Sequence, residues 1–426
     1  MRAPRLTFER VLRRPECWGL LLRFLVMPIA CHYDLLSYYW AAHEVVYHHH
    51  VPFAGQTFGA LYQIFPTAWL NVAWLWLIKP LLGSRDPWTD NWFPSGDVYQ
   101  TSDVAWHAFV SLPNIGVILF LLKLPFLFGE WALIRWLSAV PNQPVARRRA
   151  AAFLWLNPVS IFILYVFGSM EIWVLVALAG CLACACRGRW VASALLLGVA
   201  GVLRTFPVLF IPALMAAAGG SWRRRLRLGL CAALPVIVWY AIAKLRDPGA
   251  LAFIAAYPSH NFLLSLRWPM AVGADGLYPF VAAYVLVLGM AGVASKPSVD
   301  HFARTMTAIL LTLYALSFFH PQYFIWCIPS LALLVAETPS LVALFAIQTA
   351  AYVLYTFQWG RPLAGYLFAP INPDAMMALR SPLESLSWFG PPEKVVGLAH
   401  SLLAGASLWM AYHVLQRRVR PVPAAR

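Results

Sequence analysis

"IWVLVALAGCLACACRGRWVASALLLGVAGVLRTFPVLFIPALMAAAGGSWRRRLR", Ile172 to Arg227, holds three apolar runs and no acidic residue, and its arginines stand only where the runs end. Runs of this kind, near the roughly 20 residues that a bilayer helix needs, recur along the whole chain. Short charged, Pro-rich or Gly-rich punctuation separates them. Of the 426 residues 61% are hydrophobic and 12% charged, which excludes a water-soluble globular protein. No autonomous soluble domain is visible, so residues 1–426 read as a single integral membrane domain of all-α, polytopic class.

A net charge of +15 invites a nucleic-acid reading until the basic residues are placed. Arg2, Arg5, Arg10, Arg13 and Arg14 precede the first span. Arg147 to Arg149, Arg187 with Arg189, Arg223 to Arg225 with Arg227, Lys296 with Arg304, and Arg417, Arg418, Arg420 and Arg426 fall in alternate later connections. These are twenty of the 32 basic residues, the bias that keeps loops cytoplasmic. They set topology and attract anionic lipid; nucleic acid is not an expected partner. The Arg-rich start has no small-x-small cleavage site behind it, so the first span is expected to remain as an anchor. Of the seven cysteines only Cys31 is placed near the outer surface, and no structural disulfide is expected.

Hung on those basic loops, the chain gives cytoplasmic termini and about twelve helices, at 16–31, 112–138, 150–167, 171–186, 190–203, 206–219, 228–244, 276–294, 303–319, 322–337, 340–357 and 395–415. The second exceeds one untilted span and contains Pro113 and Pro125, so its first part is expected at the interface. Outside lie a large loop, 32–110, and two smaller ones, 246–275 and 358–394. Twelve of the 17 acidic residues fall on this side or its edge. Within the large loop, "DLLSYYWAAHEVVY" and "AWLNVAWLWLIKPLL" read as helices lying at the interface.

Chemistry is therefore expected outside. Asp34 opens the first of those helices with Tyr38 one turn on, on the same face. A carboxylate so near hydrocarbon is costly. It is either a helix cap, worth about 1 kcal/mol, or a functional group such as a general base. Glu171, in "YVFGSMEIW", stands where two spans meet, with helix-dipole stabilisation as its ordinary role. Lys123, Arg204, Arg267 and Arg361 are outer-edge cations; each alone suits snorkelling to lipid phosphate, and together they suit an anion site. His320, in "SFFHPQYFIWCIP", can donate to a phosphate oxygen or simply cap a turn. His48 to His50, with His32, His43 and Glu44, carry zinc-ligand types without a spacing that fixes tetrahedral geometry, so no metal is assigned and a divalent ion is not favoured. Cys181, Cys184 and Cys186 read as helix packing.

In order along the chain, "HYDLLSYYWAA", "YQIFPT", "LKLPFLFGEWALI", "LNPVSIFILYVFGSMEIW", "LRTFPVLFIP" and "HPQYFIWCIP" together resemble the GT-C class of polyprenyl-phosphate-sugar-dependent glycosyltransferases, especially glycosyltransferase family 87, the group of the mycobacterial phosphatidylinositol-mannoside mannosyltransferase. The chain departs from that pattern in a lone Asp34 in place of an Asp-x-Asp pair, and in Glu171, Ser169 and Arg204 where the family has aspartate, glutamine and lysine. The resemblance implies a GT-C-like bundle in a prokaryotic plasma membrane, monomeric and active on its extracytoplasmic face. It implies an inverting transferase that moves a sugar, mannose by analogy, from a polyprenyl-phosphate donor to a lipid or glycan acceptor, with no cofactor. Asp34 is then the general base and Glu171 an orienting acid. Lys123, Arg204 and His320 bind the donor phosphate, and Tyr38, Gln322 and Tyr323 the substrates. Trp359, like Tyr38, is placed to stack on a sugar face. A transporter or flippase of lipid-linked sugar would instead bury paired charges and repeat its halves, and neither is visible in the sequence. A non-catalytic relative that binds lipid-linked sugar is the third reading.

Overall fold

The computed structural model describes residues 14–51, 66–82, 103–138, 140, 144–249, 263–269, 276–294, 297–387 and 390–416. The "YQIF" of the first loop, Asp86, Asp90, Asp97, Asp275, Lys296, the arginines before Arg14 and those after Gln416 lie outside the described residues. Among the described residues the protein is all-α; its β structure is a two-residue antiparallel pairing of Trp268–Pro269 with Gly276–Leu277. Helix occurs in each of the twelve stretches expected to span. Among the described residues three helices are long and apolar enough to cross a membrane, Ile115–Ser138, Trp222–Arg246 and Pro392–Gln416, and the pair Pro144–Leu156 and Pro158–Phe167, bent by 42°, makes a fourth if it is counted as one span. Shorter apolar helices, Ile172–Cys186, Trp190–Leu203, Phe206–Ala218 and Pro279–Gly292, pack among them. Large side chains such as Trp76, Leu230, Ile237, Leu286 and Leu398 are exposed, a surface suited to hydrocarbon and not to water.

The expected complication at 112–138 resolves at Pro113. Asp103–Val110 is a separate short helix, the chain turns through Leu112 to Asn114, and Ile115–Ser138 then runs unbroken through Pro125. At 1.5 Å per residue, 24 residues reach about 36 Å, enough to cross with some tilt. Close helix approach elsewhere depends on small residues. A Cβ at Gly198 would sit 2.3 Å from the Ala232 carbonyl oxygen, so glycine lets the Trp190–Leu203 and Trp222–Arg246 helices touch at the backbone.

One feature of the core corrects the sequence reading, which saw no buried pair of charges. Arg23, in the helix Pro15–Val26, and Glu130, in Ile115–Ser138, are both buried and joined by two hydrogen bonds of 2.5 and 2.6 Å. Tyr165 donates to Glu130 at 2.6 Å, and Arg23 also donates to the carbonyls of Gly19 and Trp155 at 2.8 and 2.7 Å. Widely separated segments of sequence are thereby tied at one point. A charge in such a place is tolerable only when paired and hydrogen-bonded, and both groups are.

Candidate active site

Seven of the eight residues singled out from sequence gather in one region: Glu171, Arg204, Tyr38, Gln322, Tyr323 and His320 are joined by bonds or ring contacts, and Asp34 lies at their electrostatic edge. Asp34 enters first. It lies in the opening turn of the Tyr33–Tyr47 helix, but the cap is His32, whose Nδ1 accepts from the Asp34 N–H at 3.2 Å. The capping role open to Asp34 from sequence is thus taken by its neighbour. His32 is itself pinned: its N–H donates to the Phe167 carbonyl at 3.1 Å, and its ring stacks 4.0 Å from Phe167. The Asp34 carboxylate lies 3.4 Å from His32 Nδ1 and keeps about a fifth of its side chain exposed. Burial by itself pushes this carboxyl up. His32, then His320, whose rings take up protons as pH falls, and Arg204 outweigh it and hold Asp34 below the usual carboxylate range.

The turn beneath it is built by an unusual helix end. Asn157 caps Ser160 N–H at 3.0 Å with Pro158 at the first helical position, and the helix then loosens into a π-helical stretch, Phe162–Phe167. Gly168 ends it at φ 86°, the left-handed region where glycine is at ease. Gly168 lies against Leu35 of the first-loop helix, and Ser169 and Glu171 beyond it turn to Gln322, Arg204 and Trp326. Glu171 occupies the N-cap position of Ile172–Cys186 without capping it. Its buried carboxylate binds Arg204 Nη2 at 2.6 Å and accepts from Trp326 Nε1 at 2.7 Å.

Arg204 terminates the Trp190–Leu203 helix in extended conformation. It points inward to Glu171, to the Tyr38 hydroxyl at 3.4 Å and over the Tyr323 ring at 6.0 Å, so it is not directed to lipid headgroups. Tyr38 in turn donates to Gln322 Oε1 at 3.3 Å, which also accepts from Ser169 at 3.1 Å. Gln322 and Tyr323 belong to the 3₁₀ turn Pro321–Cys327, and Tyr323 stacks on Trp326 at 4.4 Å. His320, just before that turn and outside the spanning helices, has a buried Nδ1 with no hydrogen-bond partner in the structure. Its ring contacts Phe167, Tyr323 and Trp359. Burial, the largest influence, lowers its pKa to about 4 against the opposing pull of Asp34. His320 is therefore a neutral imidazole at neutral pH, able to donate one N–H but not to supply positive charge.

Lys123 is the correction. Its ammonium is fully buried and donates to the carbonyls of Met27 at 3.0 Å, of Tyr165 at 2.8 Å and of Ala30. Three donors on three carbonyls leave nothing for a phosphate. Lys123 instead holds the end of the first helix against the strand of backbone that leads to Phe167 and His32. Arg267 and Arg361 are exposed on other segments. The sequence reading also missed His32 and Trp326 as site residues. Trp326 stood inside a quoted motif, and only the fold shows its indole directed at Glu171.

Chemically the cluster offers an ionised, partly open carboxylate, a permanent cation braced by a second carboxylate, an unsatisfied imidazole nitrogen, and aromatic faces at Tyr38, Tyr323 and Trp359. Protein-family models, curated proteins and solved structures were compared with the chain, and none matches.

Proposed function

We propose that this protein is an inverting membrane glycosyltransferase, moving a sugar from a polyprenyl-phosphate donor to a hydroxyl of a lipid or glycan acceptor on the outer face of a membrane crossed about twelve times. The observation that carries the reading is the convergence of Asp34, Glu171, Arg204 and the His320–Tyr323 turn, from four distant segments of sequence, on one partly open cluster. The bonding supports distinct roles. Asp34 carries no structural hydrogen bond as cap, remains partly exposed and is ionised at neutral pH, as a proton acceptor must be.

In the reaction, the acceptor oxygen attacks the anomeric carbon while the bond from that carbon to the phosphate oxygen breaks. The bonding pair leaves with the polyprenyl phosphate, the hydroxyl proton passes to Asp34, and the anomeric carbon inverts. A carboxylate with a low pKa is a weak base, so proton transfer comes late, when the attacking oxygen has become acidic. Phosphate is a good leaving group and needs positive charge and N–H donors more than a general acid. Arg204 supplies the charge and His320 an N–H; Glu171 fixes the guanidinium, and Trp326 fixes Glu171. Lys123 has no part in binding phosphate.

Transport of a lipid-linked sugar is the second reading, favoured by the buried Arg23–Glu130 pair. That pair is saturated by fixed partners, which suits a structural tie better than a moving gate. The test is transfer of label by purified protein from a polyprenyl-phosphate mannose to endogenous lipid extract, against a nucleotide sugar as alternative donor. Transfer from the lipid donor alone supports the proposal. Efficient use of the nucleotide sugar, or facilitated passage of the lipid across vesicles without transfer, overturns it.

A further inference from the structure

At the other end of the helix that carries Asp34, a second group of side chains assembles. One ligand atom each of His43, Glu44 and His48 lie within 4.8 Å of one another. Glu44 and His48 are a turn apart, on one face of the helix. His43 is buried beneath them, its ring 5.0 Å from that of His48. The chain then reverses at His49, whose φ of 54° is uncommon for a residue other than glycine. That turn lets the His50 N–H bond the Glu44 carbonyl at 3.0 Å and swings the His50 imidazole to the Glu44 carboxylate. His43 Nδ1 is 3.8 Å from one Glu44 oxygen and His50 Nδ1 is 3.7 Å from the other.

We propose that His43, Glu44 and His48, completed by His50, form a binding site for a divalent transition metal of the zinc type. The two separations of 3.7 and 3.8 Å exceed hydrogen-bond length. They approach the spacing of about 3.3 Å between two ligands on one tetrahedral ion with bonds near 2.0 Å. His50 stands outside the 4.8 Å group of the other three and reaches the ion by rotation of its exposed side chain, and Glu44 and His48 also lie at least partly exposed. Three imidazoles and one carboxylate select zinc over magnesium or calcium, which take oxygen ligands. Lys79, on the packed helix Thr67–Leu82, is the nearby cation that would oppose binding. Its ammonium is turned to the Val46 carbonyl at 2.9 Å and over the Tyr47 ring at 4.6 Å. Spacing in the sequence does not show this site, because two of its ligands follow the end of the helix and depend on the reversal at His49. Bound metal would fasten that reversal to the last turn of the helix, and so hold one end of the element whose other end bears Asp34.

The test is calorimetric titration of zinc into the full-length protein, purified without a histidine tag and stripped with chelator, with metal content measured after dialysis. One equivalent should bind, and excess magnesium should not displace it. Glu44→Gln, near-isosteric at a partly exposed position, and His48→Ala, at an exposed one, are compatible with folding and should each weaken binding by about tenfold or more. His49→Asn keeps the left-handed turn and removes an imidazole that is outside the cluster, so its affinity should be unchanged. Absence of stoichiometric zinc in the wild type overturns the proposal. So does an equal loss in His49→Asn and His48→Ala, which would mean that the histidine run binds as bare sequence and not as a folded site.

Discussion

Asp34 shows how far one side chain's role depends on its neighbours. Because His32 takes the cap, the acid is free of a structural duty that asparagine could also perform. Asp34→Asn should therefore lower turnover by about 10²-fold or more, with donor lipid still bound and thermal stability little changed. Wild-type transfer by that variant would move the base to Glu171 or end the catalytic reading. His320 gives a prediction of the opposite kind, in stability. Its folded pKa of about 4 lies below the ordinary 6.5, so the unfolded chain takes up the proton first as pH falls. The fold therefore loses stability between about pH 6.5 and pH 4, by roughly 3 kcal/mol at the lower end if this group acts alone. Asp34 is lowered as well, and its contribution is lost only further into acid. Melting curves of His320→Gln in detergent should be flatter than wild type over that window. An unchanged slope would mean that the imidazole is not buried neutral.

Among the elements, the π-helical stretch and Gly168 decide whether the site exists at all. Gly168 is left-handed, and a Cβ there would lie 3.2 Å from Leu35 Cβ on the Asp34 helix. Gly168→Ala thus combines backbone strain of about 1–2 kcal/mol with pressure on the neighbouring helix, and should lower both melting temperature and transfer rate; a variant with wild-type stability and rate would remove this turn from the account. Nothing in "YVFGSMEIW" announces a π-helix, because a single extra residue per turn leaves the hydrophobic pattern nearly as it was. The acid of that segment was legible as a charge out of place among apolar residues. The same logic exposed Asp34, Arg204 and His320. It misled at Lys123, since sequence shows a lysine near a helix end but not the three carbonyls that converge on it. It was silent on His32 and Trp326, whose types are ordinary for an interface and whose roles are fixed by contacts more than a hundred residues apart in one case and by a local turn in the other. Helix positions were legible throughout because apolar runs and their charged ends report them directly, whereas the Arg23–Glu130 pairing required knowing which helices touch.

At the scale of the molecule, one arrangement must serve both the charge distribution and the site. The basic residues of Arg147 to Arg149 and Arg223 to Arg227 open the helices Pro144–Leu156 and Trp222–Arg246. Asp34, Glu171, Arg204 and His320 gather where other helices end or begin. Following the chain from Arg148 through the bent pair brings it to Gly168 and Glu171, and the Ile172–Cys186 helix then returns it to Arg187 and Arg189. Basic loops and site therefore alternate along the chain, as they must if they face opposite sides of a membrane. If the bent pair is one crossing, the positive-inside bias predicts the site on the outside. Single cysteines introduced near Trp88 and Asp374, in a background lacking the native thiols, should react with an impermeant maleimide added to intact cells. Cysteines near Arg148 and Arg224 should react only after the membrane is opened. Reaction of Arg148 or Arg224 positions in sealed cells, with protection at Trp88 and Asp374, would invert the topology. A lipid donor presented at the outer leaflet could then not reach Asp34, and the transferase proposal would fail with it.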